Sequence, residues 1–233
     1  MEQISKPIIA FLGDSITAGC GASDEKHGFC ARLEEMTGFT IENYGIGGTR
    51  IARQKIATSG FPEFDQDFLK RSMALDPKAD VVFVFGGTND FGHGDAALGK
   101  MGDQDPYTFY GALALLCESL LKRYPRERLA FVLPLPRYDE ENPHGDGSKK
   151  TTCPPLSAYR AAILEVVGSY PIFVLDLTGI FPLPESNEGD EYTADGLHPN
   201  DRGHDLLAQI FTCFLWDHYH YEPRCFPKGD PLK

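Results

Sequence analysis

The segment Val81-Val82-Phe83-Val84-Phe85 constrains the fold of this chain more than any other stretch. Five consecutive large apolar residues leave no polar face. A strand built from them must be covered on both sides, which is the condition of a parallel sheet with helices on each face. Four further runs of strand length, residues 8–12, 40–44, 129–133 and 172–177, carry Val, Ile, Phe or Leu.

Segments of helical character lie between these runs. Residues 29–37 follow the first. Residues 64–73 set Phe64, Phe68, Leu69 and Met73 at helical spacing. Residues 107–124 present Leu113, Leu116, Leu120 and Leu121 on one side, and residues 156–170 begin behind Pro154-Pro155. Residues 204–216 close the series with Leu207, Ile210, Phe211 and Leu215. The alternation predicts one three-layer α/β/α domain over residues 1–233, with right-handed crossovers. Residues 137–155 are polar and contain Pro and Gly, a loop long enough to be either mobile or functional.

Composition narrows the partners. The chain has 233 residues, 42% of them hydrophobic, so a sizeable core needs no staples. The net charge of −12 argues against nucleic acid and anionic membranes as partners. The cysteines are Cys20, Cys30, Cys117, Cys153, Cys213 and Cys225, with no CxxC pair. Cys20, Cys117 and Cys213 sit in apolar or Gly-rich segments expected to be packed, so free thiols are expected. The start MEQISKPIIAFLGDS lacks a basic region followed by a long apolar run, and no stretch reaches the length of a membrane span. The expected location is the cytoplasm, unless a leader has been removed.

In open parallel sheets, sites form beyond the C-terminal ends of the strands. Four segments are placed to reach that edge. Gly13-Asp14-Ser15-Ile16-Thr17 follows the first run and would present Ser15 at a helix start, as a nucleophile or as a plain N-cap. The strand–GxSxG elbow is absent, because position 17 is Thr. Asn43-Tyr44-Gly45-Ile46-Gly47-Gly48-Thr49 offers backbone N–H groups to an oxyanion or a phosphate, or is a simple glycine turn. Gly86-Gly87-Thr88-Asn89-Asp90 follows the third run, and Asn89 is an oxyanion donor or an Asx-turn residue. In Asp195-Gly196-Leu197-His198-Pro199 a carboxylate three residues before a histidine can hold one ring nitrogen and leave the other as a base. The alternative is a capping Asp beside a surface His. The other six histidines are read as lacking such a partnered setting: His27, His93 and His144 lie in polar loops, His204 in the last helical segment, and His218 and His220 in the tail.

These four segments together resemble the SGNH-hydrolase family, the GDSL esterases and lipases, whose blocks carry a GDS serine, a glycine, an Asn in GxND, and DxxH. Here they read GDSIT, NYGIGG, GGTND and DGLHP, in the family's order. The resemblance implies Ser15 as nucleophile, His198 as general base and Asp195 as orienting carboxylate. It also implies an oxyanion hole made by the Ser15 N–H, the Gly48 N–H and the Asn89 side chain. The family glycine falls five residues after the block's Asn, which selects Gly48 over Gly45 and Gly47. The implied fold is a flavodoxin-like parallel five-stranded sheet of order 2-1-3-4-5, and no metal or cofactor is implied.

The family acts on many esters. The acidic surface and the lack of an amphipathic membrane helix favour a short acyl group, such as acetyl, on a carbohydrate or other small alcohol. Lysophospholipase, acyl-CoA thioesterase and acyltransferase chemistry use the same triad. A phosphate- or flavin-binding protein would leave Asn89 and the Asp195–His198 pair without roles. Residues 91–105 and 137–155 are expected to shape the pocket, with Arg137 and His144 read as surface residues of the second loop and, as the alternative, as substrate contacts.

Overall fold

The computed structural model describes residues 6–58 and 60–221, so Cys225 lies outside the described residues. The chain runs β1 (Ile8–Gly13), α1 (Ser15–Ala18), α2 (Phe29–Thr37), β2 (Thr40–Gly45), α3 (Phe68–Ser72), β3 (Val81–Phe85), α4 (Thr88–Gly92), α5 (Phe109–Leu121), β4 (Leu129–Val132), α6 (Leu156–Ser169), β5 (Phe173–Leu175) and α7 (Asp201–Tyr219). The strands form one parallel sheet of order β2-β1-β3-β4-β5, the order that the family resemblance implied.

Both faces of the central strands are buried, and alternate residues go to opposite cores. Ala10, Leu12, Val82 and Val84 pack with Phe68, Leu113, Leu116, Ile163 and Val167 of α3, α5 and α6. Ile9, Phe11, Phe83 and Phe85 pack with Phe29, Leu33, Leu207 and Phe211 of α2 and α7. The second core is built around aromatic rings. Phe11 stacks on Phe83 at 4.7 Å and meets Phe29 and Phe211 edge-on at 5.2 and 4.9 Å.

Three expectations are corrected. Residues 64–73 are not one helix: a 3-10 turn over Pro62–Asp65 precedes α3. The break falls at Asp67, whose side chain caps α3 by accepting from the Lys70 N–H. Phe64 thereby turns away from the core, and Met73 is exposed. The run at 172–177 contributes only Phe173–Leu175 to the ladder, although Ile172 and Leu177 are buried. Of the three cysteines expected to be packed, only Cys117 is buried. Cys20 and Cys213 are exposed free thiols, because Cys20 follows the left-handed Gly19 that ends α1 and Cys213 lies on the outer stripe of α7.

Phe11 is fully buried and meets three other rings of the aromatic core. Phe11→Ala is expected to lower stability by about 3–5 kcal/mol in urea unfolding. Phe173→Ala, at a half-exposed edge position, is expected to cost far less.

Candidate active site

Ser15 is the first residue of α1 and is almost fully buried. The helix cap is Asp14, not Ser15: the Asp14 carboxylate accepts from the Ile16 N–H at 3.0 Å. Ser15 is therefore spared for other work. Its Oγ lies 2.9 Å from His198 Nε2. His198 Nδ1 lies 2.7 Å from Asp195 Oδ2. The other carboxylate oxygen accepts from the backbone N–H groups of Leu197 and His198 at 3.1 and 2.7 Å. This local Asx turn fixes the carboxylate relative to the ring it holds. Burial pushes the Asp195 carboxyl up, but the His198 ring and the two N–H groups outweigh it and hold it down at about 2. It is ionised at neutral pH.

The loop after β2 passes beside the serine. A Cβ placed on Gly47 would stand 3.7 Å from Ser15 Cβ. Gly48 has φ +71°, and its Cα sits over the Phe64 ring so closely that a Cβ would lie 2.4 Å from it. Glycine is required there for both reasons. Among the described residues the Gly48 N–H has no hydrogen-bond partner.

α4 grips this loop. Asn89 Nδ2 donates to Thr49 O at 3.0 Å, and the amide keeps a second hydrogen for another acceptor. The Asp90 carboxylate accepts from the Ile51 and Ala52 N–H groups at 2.9 and 2.8 Å. Burial raises Asp90 to about 6 despite these bonds. His93, just past α4, sets Nε2 3.2 Å from Gly48 O and Nδ1 3.1 Å from Asp146 Oδ2.

Three of the remaining histidines have partners that the sequence reading did not assign them. His27 and His93 each face an aspartate, Asp24 and Asp146. His204 is fully buried, accepting from the Phe29 N–H and facing Cys20 O, and burial lowers its pKa. His144 stays on the exposed loop surface, as expected. Arg137 does not: it is 3% exposed, forks onto Asp139, donates to Thr88 and lies over the Phe91 ring at 5.3 Å. A buried guanidinium satisfied on several sides is a structural tie. Asp90, His93 and Asp146 escape sequence reading because the groups they meet lie tens of residues away, and Arg137 is misplaced there because its Thr88 acceptors are 49 residues distant.

Two hollows flank the array. One of about 700 Å³ runs from Phe64 and His93 past Arg50, Gln54, Asp95 and Lys149. The other, about 370 Å³, lies along Arg137, Tyr138, Asn142 and Asp195–Leu197. Both are bordered by Asp146. Among the described residues no cluster of His, Cys, Asp and Glu could hold a metal ion, and no helix is long and apolar enough to cross a membrane.

A 2-1-3-4-5 parallel sheet covered by helices on both faces is the SGNH-hydrolase fold. The chain belongs to the GDSL-like lipase/acylhydrolase family, whose model matches residues 11–206. It is similar to an acetylxylan esterase of Xylanibacter ruminicola, 26% identical over 225 residues. That match covers 89% of this chain but only 42% of the relative's length. A crystal structure of a protein from Lactobacillus plantarum aligns with a TM-score of 0.75 and 30% identity, covering 93% of this chain and 99% of the other. The lipase/acylhydrolase structure from Enterococcus faecalis, at 20% identity and TM-score 0.61, covers 94% of this chain and 100% of that one, and shares the fold.

Burial is the main cause that raises Asp14 to about 6, against the pull of the Ile16 N–H, His198 and Arg71. In the unfolded chain this group ionises near pH 4, roughly its reference value. Between about pH 4 and 6 the native state therefore binds more protons here than the unfolded state, and Asp14's contribution to stability falls as pH rises. Asp14→Asn keeps the acceptor for Ile16. The variant is expected to match the wild type near pH 4 and exceed it by about 1–3 kcal/mol at pH 7 in urea melts. A constant difference across that range would contradict a raised Asp14.

Proposed function

We propose that this chain, read as one catalytic domain, is a serine esterase with Ser15 as nucleophile, His198 as general base and Asp195 as the carboxylate that orients it. The observation that carries the reading is the unbroken line from Asp195 Oδ2 through His198 to Ser15 Oγ, with steps of 2.7 and 2.9 Å. An ionised Asp195 takes the Nδ1–H and leaves the Nε2 lone pair facing the serine hydroxyl. Nε2 accepts the hydroxyl proton as Oγ attacks the ester carbon. The carbonyl electrons move onto oxygen, and the oxyanion is met by the Ser15 N–H, the Gly48 N–H and the second hydrogen of the Asn89 amide. The His198 imidazolium then protonates the leaving alcohol. Water repeats the cycle on the acyl-enzyme and frees the acid.

The substrate is read as a short-acyl ester, such as an acetyl ester, of a carbohydrate or other small alcohol. A relative named as an acetylxylan esterase supports this. Free thiols at Cys20 and Cys213 suit a reducing compartment, so the cytoplasm is the proposed location.

A series of p-nitrophenyl esters from acetate to octanoate tests both parts. The wild type is expected to prefer acetate, and Ser15→Ala to fall to background. Asn89→Ala is expected to lose about 10²–10³-fold in kcat. Turnover surviving in Ser15→Ala would end the triad reading, and a preference for octanoate would end the short-acyl one.

A further inference from the structure

The loop that carries Gly48 is held from one side by a second histidine–aspartate pair. Gly48 O can only accept a hydrogen bond, so His93 Nε2 is the donor across the 3.2 Å contact. The opposite ring nitrogen faces Asp146 Oδ2 at 3.1 Å. Asp146 is itself anchored. Its N–H donates to Gly92 O at 3.0 Å, and its Oδ1 accepts from the Ser148 N–H at 2.9 Å. Burial pushes the Asp146 carboxyl up, but the contacts with His93 and Ser148 outweigh it and hold it well below the usual carboxylate range.

Thr49 beside Gly48 is held by Asn89, Arg71 and Ile46, but among the described residues the N–H and carbonyl of Gly48 itself meet no polar partner other than His93. The Phe64 ring supports Gly48 from one side and lies 6.1 Å from the His93 ring. Thr49 N–H reaches back to Ile46 O at 3.4 Å. A glycine's flanking peptides turn easily, and an oxyanion donor must sit within a few tenths of an ångström of its target. Holding the Gly48 carbonyl removes rotations that would swing its N–H away.

We propose that His93, backed by Asp146, is a positioning residue for Gly48 and makes the 137–155 loop part of the reaction centre. It acts through the Gly48 carbonyl and touches no reacting atom. Its catalytic consequence rests on the esterase reading above, whereas its hold on Gly48 does not.

Two conservative variants separate the two ring nitrogens. Glutamine places an amide near the position of Nε2 and can still donate to Gly48 O. Asparagine places one near Nδ1 and can reach only Asp146. With p-nitrophenyl acetate, His93→Asn is expected to lose roughly 10- to 100-fold in kcat with little change in KM. His93→Gln is expected to recover most of that loss. Asp146→Ala is expected to lose less, and to add nothing in the His93→Asn background. Backbone-amide NMR reads the clamp without any substrate: the Gly48 and Thr49 signals shift in His93→Asn and stay near wild type in His93→Gln. Melting temperatures track bulk stability alongside.

Equal impairment of the Gln and Asn variants, or a His93→Asn protein with wild-type kcat and unmoved Gly48 and Thr49 signals, would overturn the proposal. A wild type that turns over no ester would overturn the esterase reading alone, and the NMR comparison would still decide whether His93 positions Gly48.

Discussion

Parallel register is the constraint on which the rest of the structure depends. β1 lies between β2 and β3, with Gly13 paired to Gly45 on one side and Phe85 on the other. Parallel strands release their chains at the same edge. The turn carrying Ser15, the 46–52 loop and α4 therefore leave the sheet side by side. α1 can fold across those strand ends only because two of them carry no side chain. A Cβ on Gly13 would fall 1.9 Å from Thr17 Oγ1, and one on Gly45 would fall 2.2 Å from Ala18 N. The glycines that bring Ser15 down onto the edge are thus explained by close packing.

Register alone leaves the loops free to splay, and buried polar groups close them. Arg71 is only 8% exposed and donates to Gly13 O, Tyr44 O and Thr49 Oγ1. One guanidinium thereby joins the end of β1, the end of β2 and the loop between β2 and α3. Burial lowers its pKa to about 10, which leaves it charged at neutral pH. A lysine presents three donors from a single point and could not reproduce this fork. Desolvating such a group offsets much of what its bonds return. Its value to the fold lies in where it holds three backbone segments, more than in net stability.

Legibility in the sequence followed the range of the interaction. VVFVF announced a central strand because both of its faces are buried. The Asp195–His198 contact was legible because three residues separate the partners and an Asx turn joins them. The split of residues 64–73 was harder to see, since an apolar spacing survives even when one capping carboxylate interrupts the helix. His93 gave no local signal. Asp146 stands 53 positions away and Gly48 stands 45 away, so only the folded chain joins them. Arg137 looked like a loop surface residue for the same reason: its acceptors on Thr88 are 49 positions distant.

The 137–155 loop is fixed by a debt in hydrogen bonding that α4 carries. A helix of a single turn cannot satisfy its own carbonyls. The loop supplies donors to them in succession: Arg137 to Thr88 O, Lys149 Nζ to Asp90 O, and Asp146 N–H to Gly92 O, with Cys153 Sγ against Phe91 O. Arg160 of α6 adds an ion pair to Glu140 at 2.9 Å, which ties the loop's first half back to the body of the domain. These contacts are directional, so the loop's position follows α4 closely. The same short helix holds Asn89 against Thr49 and Asp90 against Ile51 and Ala52. A change within residues 137–155 therefore reaches the loop beside Ser15 through α4, without altering Ser15, His198 or Asp195.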